Sequence, residues 1–198
     1  LLVERTAIYG STDFGKPIKL FERQVTTDAF RDFVERTRSV FEDMSERAML
    51  RAQPFVQSNC HGWVFTHGQY ILKGAEVQHI LNDNSYTRVT VPQSNDVAVY
   101  RNVEGNIVHT GVVRGTLEGT TMVESKWGIG GLYMHVAEEQ PYSQVIEFYR
   151  TDRPSHDISI TCRNPESSTK PLLLAHQSVD DRVKRSSFYT HFCGSQSE

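Results

Sequence analysis

The period of the apolar positions changes along this chain. In TTDAFRDFVERTRSVFEDMSERAML, residues 26 to 50, Phe30, Phe33, Val34, Val40, Phe41, Met44 and Ala48 fall near one face at helical spacing. A helix is predicted there. Thr26 or Thr27 can cap its start, and Asp28 suits the positive end of its dipole. Residues 1 to 24 mix short apolar pieces with Gly and Pro, and read as an extended lead-in. After the helix, Pro54 and the polar QSN break the pattern, and a short apolar run begins at Cys60. Val64 and Phe65 lie four and five positions on, which suits a short buried helix. GAEVQHILNDN predicts a second short amphipathic helix with Val77, Ile80 and Leu81 inward. Asn82 and Asn84, which tolerate left-handed geometry, mark its end.

Beyond Tyr86 the texture becomes that of a sheet. VTVPQSNDVAVYRN, GNIVHTGVVRG, TTMVESKWG and SQVIEFYRT place β-branched and aromatic residues between turn signals. Helices first, then an antiparallel meander, make an α+β layout. After Thr151 the pattern weakens. RNPESSTKP reads as loop, LLLAHQSV as strand or helix, and FCGSQSE as a frayed tail.

Composition narrows the class. The 198 residues fit one domain or one domain with extensions, and 38% hydrophobic content is enough for a core. The formal net charge of −3 and the mixed signs give no basic nucleic-acid surface. No apolar run approaches the ~20 residues needed to span a bilayer. LLVERTAIYG has neither the basic start nor the apolar core of a signal peptide. The chain has no initial Met, so the compartment is left open: secreted or periplasmic for a processed product, cytoplasmic otherwise. Cys60, Cys162 and Cys193 cannot all pair within one chain. In an exported protein Cys162 and Cys193 could pair and leave Cys60 free. With no CxxC pair and no tight His spacing, neither a structural metal nor a cofactor is expected.

The stretch NCHGWVFTHG, residues 59 to 68, carries the candidate chemistry. A thiol attacks as its thiolate, favoured at a helix N-terminus and beside an imidazolium. Asn59 is a plausible cap, which places Cys60 in the first turn. Taken alone, a Cys in an apolar run is more often packing than nucleophile. A base must come from elsewhere in the chain. His61 adjoins Cys60, and successive helical side chains do not face each other. His67 and His79 fall in polar helix ends. His109 sits inside the strand-like NIVHTGVVRG, where its neighbours can hold the ring. The alternative is a polar residue on an exposed strand face.

A Cys at a helix start, a strand opened by Asp, and a strand carrying His before Gly and aliphatics resemble the NlpC-type cysteine peptidases and amidases of the papain-like clan. The matching pieces are NCHGWV, NDVAVYRN and IVHTGVV, over about residues 55 to 150. The resemblance implies a papain-like α+β fold, an antiparallel sheet packed on the Cys-bearing helix. It divides the chain into an N-terminal extension (1–54), a catalytic core (55–150) and a C-terminal extension (151–198). It implies amide hydrolysis with Cys60 as nucleophile and His109 as base, acting on a peptide, peptidoglycan or protein substrate. Asp96 matches the acid of the family's Gly-Asp turn and reads as structural. Asn95 replaces the glycine and also accepts positive φ.

Other positions depart from the family. The family commonly has Asp-Cys-Ser-Gly; His61 here replaces the small residue beside the nucleophile and bears on substrate preference. In place of an upstream Tyr stand Phe55, Gln57 and Ser58. Gln57 could supply an oxyanion donor beside the Cys60 N–H. Trp127 could line the substrate cleft, or be a core aromatic. The third member of the site follows from a hairpin register. With the turn centred between Thr116 and Leu117, His109 stands opposite Glu124, and a shift of one puts Ser125 there. Glu124 is therefore the expected orienting residue, with a solvent-exposed strand Glu as the alternative. Two other functions suit the same residues: an effector-type deamidase or protease acting on a protein, and a catalytically inactive binding module.

Overall fold

The computed structural model describes residues 2–45 and 47–161, with side chains for 8–36 and 47–161. Cys162, Cys193 and the segments RNPESSTKP, LLLAHQSV and FCGSQSE lie outside the described residues. The first half of the chain contains β1 (Leu2–Ser11), β2 (Pro17–Val25), α1 (Thr27–Ser45), β3 (Ala48–Ala52), α2 (Cys60–Phe65), β4 (Ile71–Leu72) and α3 (Gly74–Asp83). The second half contains β5 (Thr87–Val89), β6 (Val97–Arg101), β7 (Ile107–Leu117), β8 (Thr120–Lys126), β9 (Leu132–Val136), β10 (Val145–Arg150) and β11 (Ser159–Thr161).

The architecture is α+β, with two antiparallel sheets. Four strands run in the order β11-β1-β2-β4 and seven in the order β3-β9-β8-β7-β6-β10-β5. β6, β7 and β8 pair as the expected meander, but β8 is followed in the sheet by β9, which was not expected, and the expected last strand, β10, returns to the far edge of β6. Three local expectations differ. The lead-in is extended but paired, since β1 and β2 form a hairpin with a bulge between Thr6 and Ile8. The first helix stops at Ser45, and Ala48 enters β3, where Ala48 to Leu50 pair with β9. At the end of α3 the left-handed residue is Ser85, with φ 58°, and not Asn84.

Cross-strand neighbours in an antiparallel pair share a face, so register sorts the side chains. Val97 opposes Val112, and Val99 opposes Thr110. This face of the large sheet packs with Val64 and Phe65 of α2, Val77 and Ile80 of α3, and Ile18, Leu20 and Leu72 of the small sheet. α2 and α3 are thus held between the sheets. The other face carries Ala98, Tyr100, Val113, Val123 and Ala137. Asp96 enters β6 as a structural acid. It accepts the Gln93 N–H of its own turn at 2.7 Å and two bonds from Arg150 at 2.8 and 2.7 Å. Asn95 takes φ 73°, the backbone expected of it.

α2 is six residues long, too short to persist by its own hydrogen bonds. Close packing against its neighbours sets its position. A Cβ on Gly62 would lie 1.7 Å from the Tyr70 carbonyl oxygen, so only glycine lets the helix approach that backbone. Gly62→Ala should destabilise the protein by about 3 kcal/mol, the upper part of the usual overpacking range. Urea unfolding midpoints check this, and an unchanged midpoint would remove the constraint.

Candidate active site

Asn59 caps α2 as expected. Its Oδ1 accepts the Gly62 N–H at 2.9 Å, and the same oxygen accepts the Leu72 N–H at 3.2 Å. Cys60 therefore begins the helix, and it is 6% exposed. Its sulfur faces the backbone N–H groups of Thr110, His61 and Cys60 itself. His61 turns away from the thiol, its Nδ1 3.0 Å from the Thr110 hydroxyl. α2 thus seats Cys60 against β7, one residue beyond His109.

His109 opposes Tyr100, and so its ring projects from the face away from the α2 core. It is 0% exposed. Tyr142, in the segment between β9 and β10, stacks on it with centroids 3.9 Å apart and planes 8° from parallel. Neither ring nitrogen has a hydrogen-bond partner among the described residues. The β7–β8 pairing begins at Val112 and Glu124, so β7 has no partner on β8 at His109 and Thr110. Tyr142 links the two expected site residues, stacking on His109 while its hydroxyl responds to the charge of Cys60. The structure seats Cys60 by the Thr110 backbone on the α2 face and turns the His109 ring to the opposite face of β7, with no hydrogen bond between them.

Burial dominates the electrostatics. It pushes the Cys60 thiol up to about 11, against the opposing pull of the Thr110 and His61 N–H groups and of Lys126. The His61 ring is pushed down to about 4, also by burial. His109 falls well below its ordinary value through burial, then through repulsion by His61 and His135. Burial thus outweighs the lowering expected of a helix start. Thiol and imidazole are both neutral at rest, because neither charged form regains its lost hydration.

Glu124 does not stand opposite His109. The turn is closed by Glu118 and Gly119, at φ 52° and 83°, and a bulge follows between Val113 and Gly115. Glu124 consequently opposes Val112, on the α2 face. Its carboxylate accepts from Arg114 Nε at 2.7 Å and lies 3.5 Å from Arg51 Nε. Trp127 is buried, 1% exposed, stacked on Tyr133 at 4.3 Å and donating to the Ser125 hydroxyl at 3.0 Å. Gln57 is exposed and lines a cavity with Phe55, Pro54, Val25 and Phe30.

Two groups near the site had no distinct sequence signal. Ser125 bonds His135 Nε2 at 2.8 Å, and His135 Nδ1 donates to the Val136 carbonyl at 2.7 Å. That second bond fixes the tautomer, so Nε2 accepts the Ser125 hydroxyl proton. Tyr142 sits in QPYS, a stretch with no recognisable motif. Its loop is held by Gln140, whose Oε1 accepts the N–H groups of Tyr142 and Ser143 at 2.7 and 3.1 Å. Among the described residues no group of His, Cys, Asp and Glu is arranged to hold a metal ion, and no helix is long and apolar enough to cross a membrane. The chain matches no protein-family model, no curated protein and no solved structure.

The pH dependence of Cys60 follows from these directions. Its thiol titrates above the ordinary value, so the reactive thiolate fraction should grow about tenfold per pH unit up to about pH 11. Iodoacetamide labelling of Cys60, followed by peptide mass spectrometry, should still be rising at pH 10. A plateau below pH 8 would contradict the burial argument. Tyr142→Ala, which opens the His109 side, should speed labelling at every pH.

Proposed function

We propose that the chain is a cysteine hydrolase cleaving amide bonds, built on the NlpC-type papain-like core it resembles over about residues 55 to 150. One arrangement carries the reading. A thiol capped into a helix start faces the Thr110 N–H, and the next residue back along β7 is a fully buried imidazole, on the opposite face, whose nitrogens have no partner among the described residues. Each buried, unmatched ring nitrogen costs about 1–3 kcal/mol, which a histidine kept for packing alone would not offset.

The neutral states suit general-base catalysis. His109 accepts the Cys60 proton as the sulfur attacks the carbonyl carbon, and the oxyanion is held by backbone N–H groups. The imidazolium then gives its proton to the leaving amine. Neutral His109 next takes a proton from water, whose oxygen attacks the thioester, and the thiol is restored as the acid leaves. Because the His109 ring rests on the opposite face of β7, its bond to Cys60 requires the ring to swing to the Cys60 side when substrate binds. With the Glu124 carboxylate engaged by two arginines and turned away from His109, no carboxylate joins Cys60 and His109, which act as a dyad.

The substrate is a peptide or isopeptide, from cell wall or protein. Incubation with purified peptidoglycan and with a cell proteome, read as new termini by mass spectrometry, separates the peptidase arms. Mass shifts of about 1 Da at Gln side chains mark deamidation. Cys60→Ala should abolish all products while the melting temperature is kept. His109→Gln should lower turnover by about 10²–10⁴-fold. Products undiminished in Cys60→Ala would end the proposal. The buried, neutral thiol favours one rival, an inactive binding module of the same fold, for which the wild type would yield no product from either source.

A further inference from the structure

Lys126 ends β8 on the Cys60 side of the large sheet and is 0% exposed. Its ammonium donates to the Gly128 carbonyl at 2.5 Å and the Gly130 carbonyl at 3.3 Å, and lies over the Phe55 ring at 4.1 Å. No carboxylate among the described residues is within ion-pair distance of it. A buried lysine without a counter-ion is rare, because carbonyl dipoles and an aromatic face replace only part of its hydration.

Gly128, which Lys126 holds, forms with Ile129 one wall of an open cavity of about 430 Å³. Arg23 of β2 and Arg36 of α1 line the same cavity, with Ala29 and Phe33. Arg36 donates its Nε to the Asp32 backbone carbonyl at 3.1 Å, and no described carboxylate pairs with its guanidinium. Burial, and then repulsion by Arg23, lower the Lys126 ammonium to about 7, and an anion bound nearby would favour its protonated form. Arg23 and Arg36 make this cavity positive, in a chain whose overall charge is −3. An apolar wall beside guanidinium forks suits a carboxylate carried on an apolar body.

We propose that the cavity lined by Arg23, Arg36 and the Gly128–Ile129 turn, backed by Lys126, binds a carboxylate of the substrate, making the cleaved amide part of an acidic peptide. This rests on the hydrolase reading and names its substrate class. The probe is a library of N-acetyl dipeptides with free carboxylates, mixed with the same dipeptides as C-terminal amides. Retention on the full-length Cys60→Ala protein is read by ultrafiltration and mass spectrometry, with no turnover needed.

The free acids should be retained at least about tenfold better than the amides, the discrimination expected from one charge-assisted contact. The preference should fall to parity when Arg36→Gln or Lys126→Met is added. Arg36 is exposed, so its variant reports even if the buried Lys126→Met does not fold. Equal retention of acids and amides by Cys60→Ala would overturn the subsite, as would a preference that survives Arg36→Gln. New termini made by the wild type alongside equal retention would overturn the subsite alone. An intact acid preference with no hydrolysis would overturn the hydrolase reading and leave an acid-binding site.

Discussion

The side chain of Asn59 joins the start of α2 to the small sheet. Its Oδ1 accepts the N–H groups of Gly62 and Leu72, and its Nδ2 donates to the Leu72 carbonyl at 2.7 Å. One amide thus caps a helix and pairs with β4 as a strand backbone would. Everything about Cys60 depends on this. A six-residue helix cannot fix its own direction, yet the knot at Asn59 and the close approach at Gly62 set both its start and its tilt. The sulfur is carried against β7, where β7 has no partner on β8. Any change at Asn59 would move cap, strand and thiol together.

Magnitudes decide the charge state of the site. A helix N-terminus stabilises an anion by roughly 0.3–1 kcal/mol, and up to about 2 kcal/mol in partly buried geometry. The rise of Cys60 from 9.0 to about 11 corresponds to about 3 kcal/mol favouring the neutral thiol, after the opposing contributions of N–H groups and Lys126. Burial therefore outweighs the dipole. On the other face Tyr142 does the same to His109, covering it with an aromatic ring that offers no hydrogen bond. A proton passes from Cys60 to His109 only when substrate binding replaces part of the lost solvation and brings the two groups together. A closed, neutral resting site also limits unwanted oxidation or alkylation of the thiol.

Much of this was legible in the sequence, and the division follows the range of the interactions. The α2 start, the Asn59 cap, the Asp96 turn and the positive φ at Asn95 are local, and their residues announce them. The hairpin of β1 and β2 was read as unpaired because its partners, β4 and β11, are 46 and more positions beyond β2. AMLRA continued an amphipathic helical pattern and hid β3, whose strand character comes from pairing with β9. The register of β7 and β8 was misplaced because the turn falls at Glu118–Gly119, a shift that the Val113–Gly115 bulge only partly reverses. That error assigned Glu124 to His109's face. Lys126 stands beside Trp127 in the sequence, but its burial against Phe55, far away in the chain, has no local signal.

The neutral, unbonded pair of Cys60 and His109 is the claim from which the mechanism follows, and the ring nitrogens of His109 report on it directly. In protein labelled with ¹⁵N-histidine, assigned by His109→Gln, the two His109 nitrogens should give the shifts of a neutral imidazole. They should hold those shifts from pH 5 to pH 8, and Cys60→Ala should leave them unchanged. An imidazolium signature in the wild type that vanishes in Cys60→Ala would mean a preformed thiolate–imidazolium pair, and would contradict this account of the site.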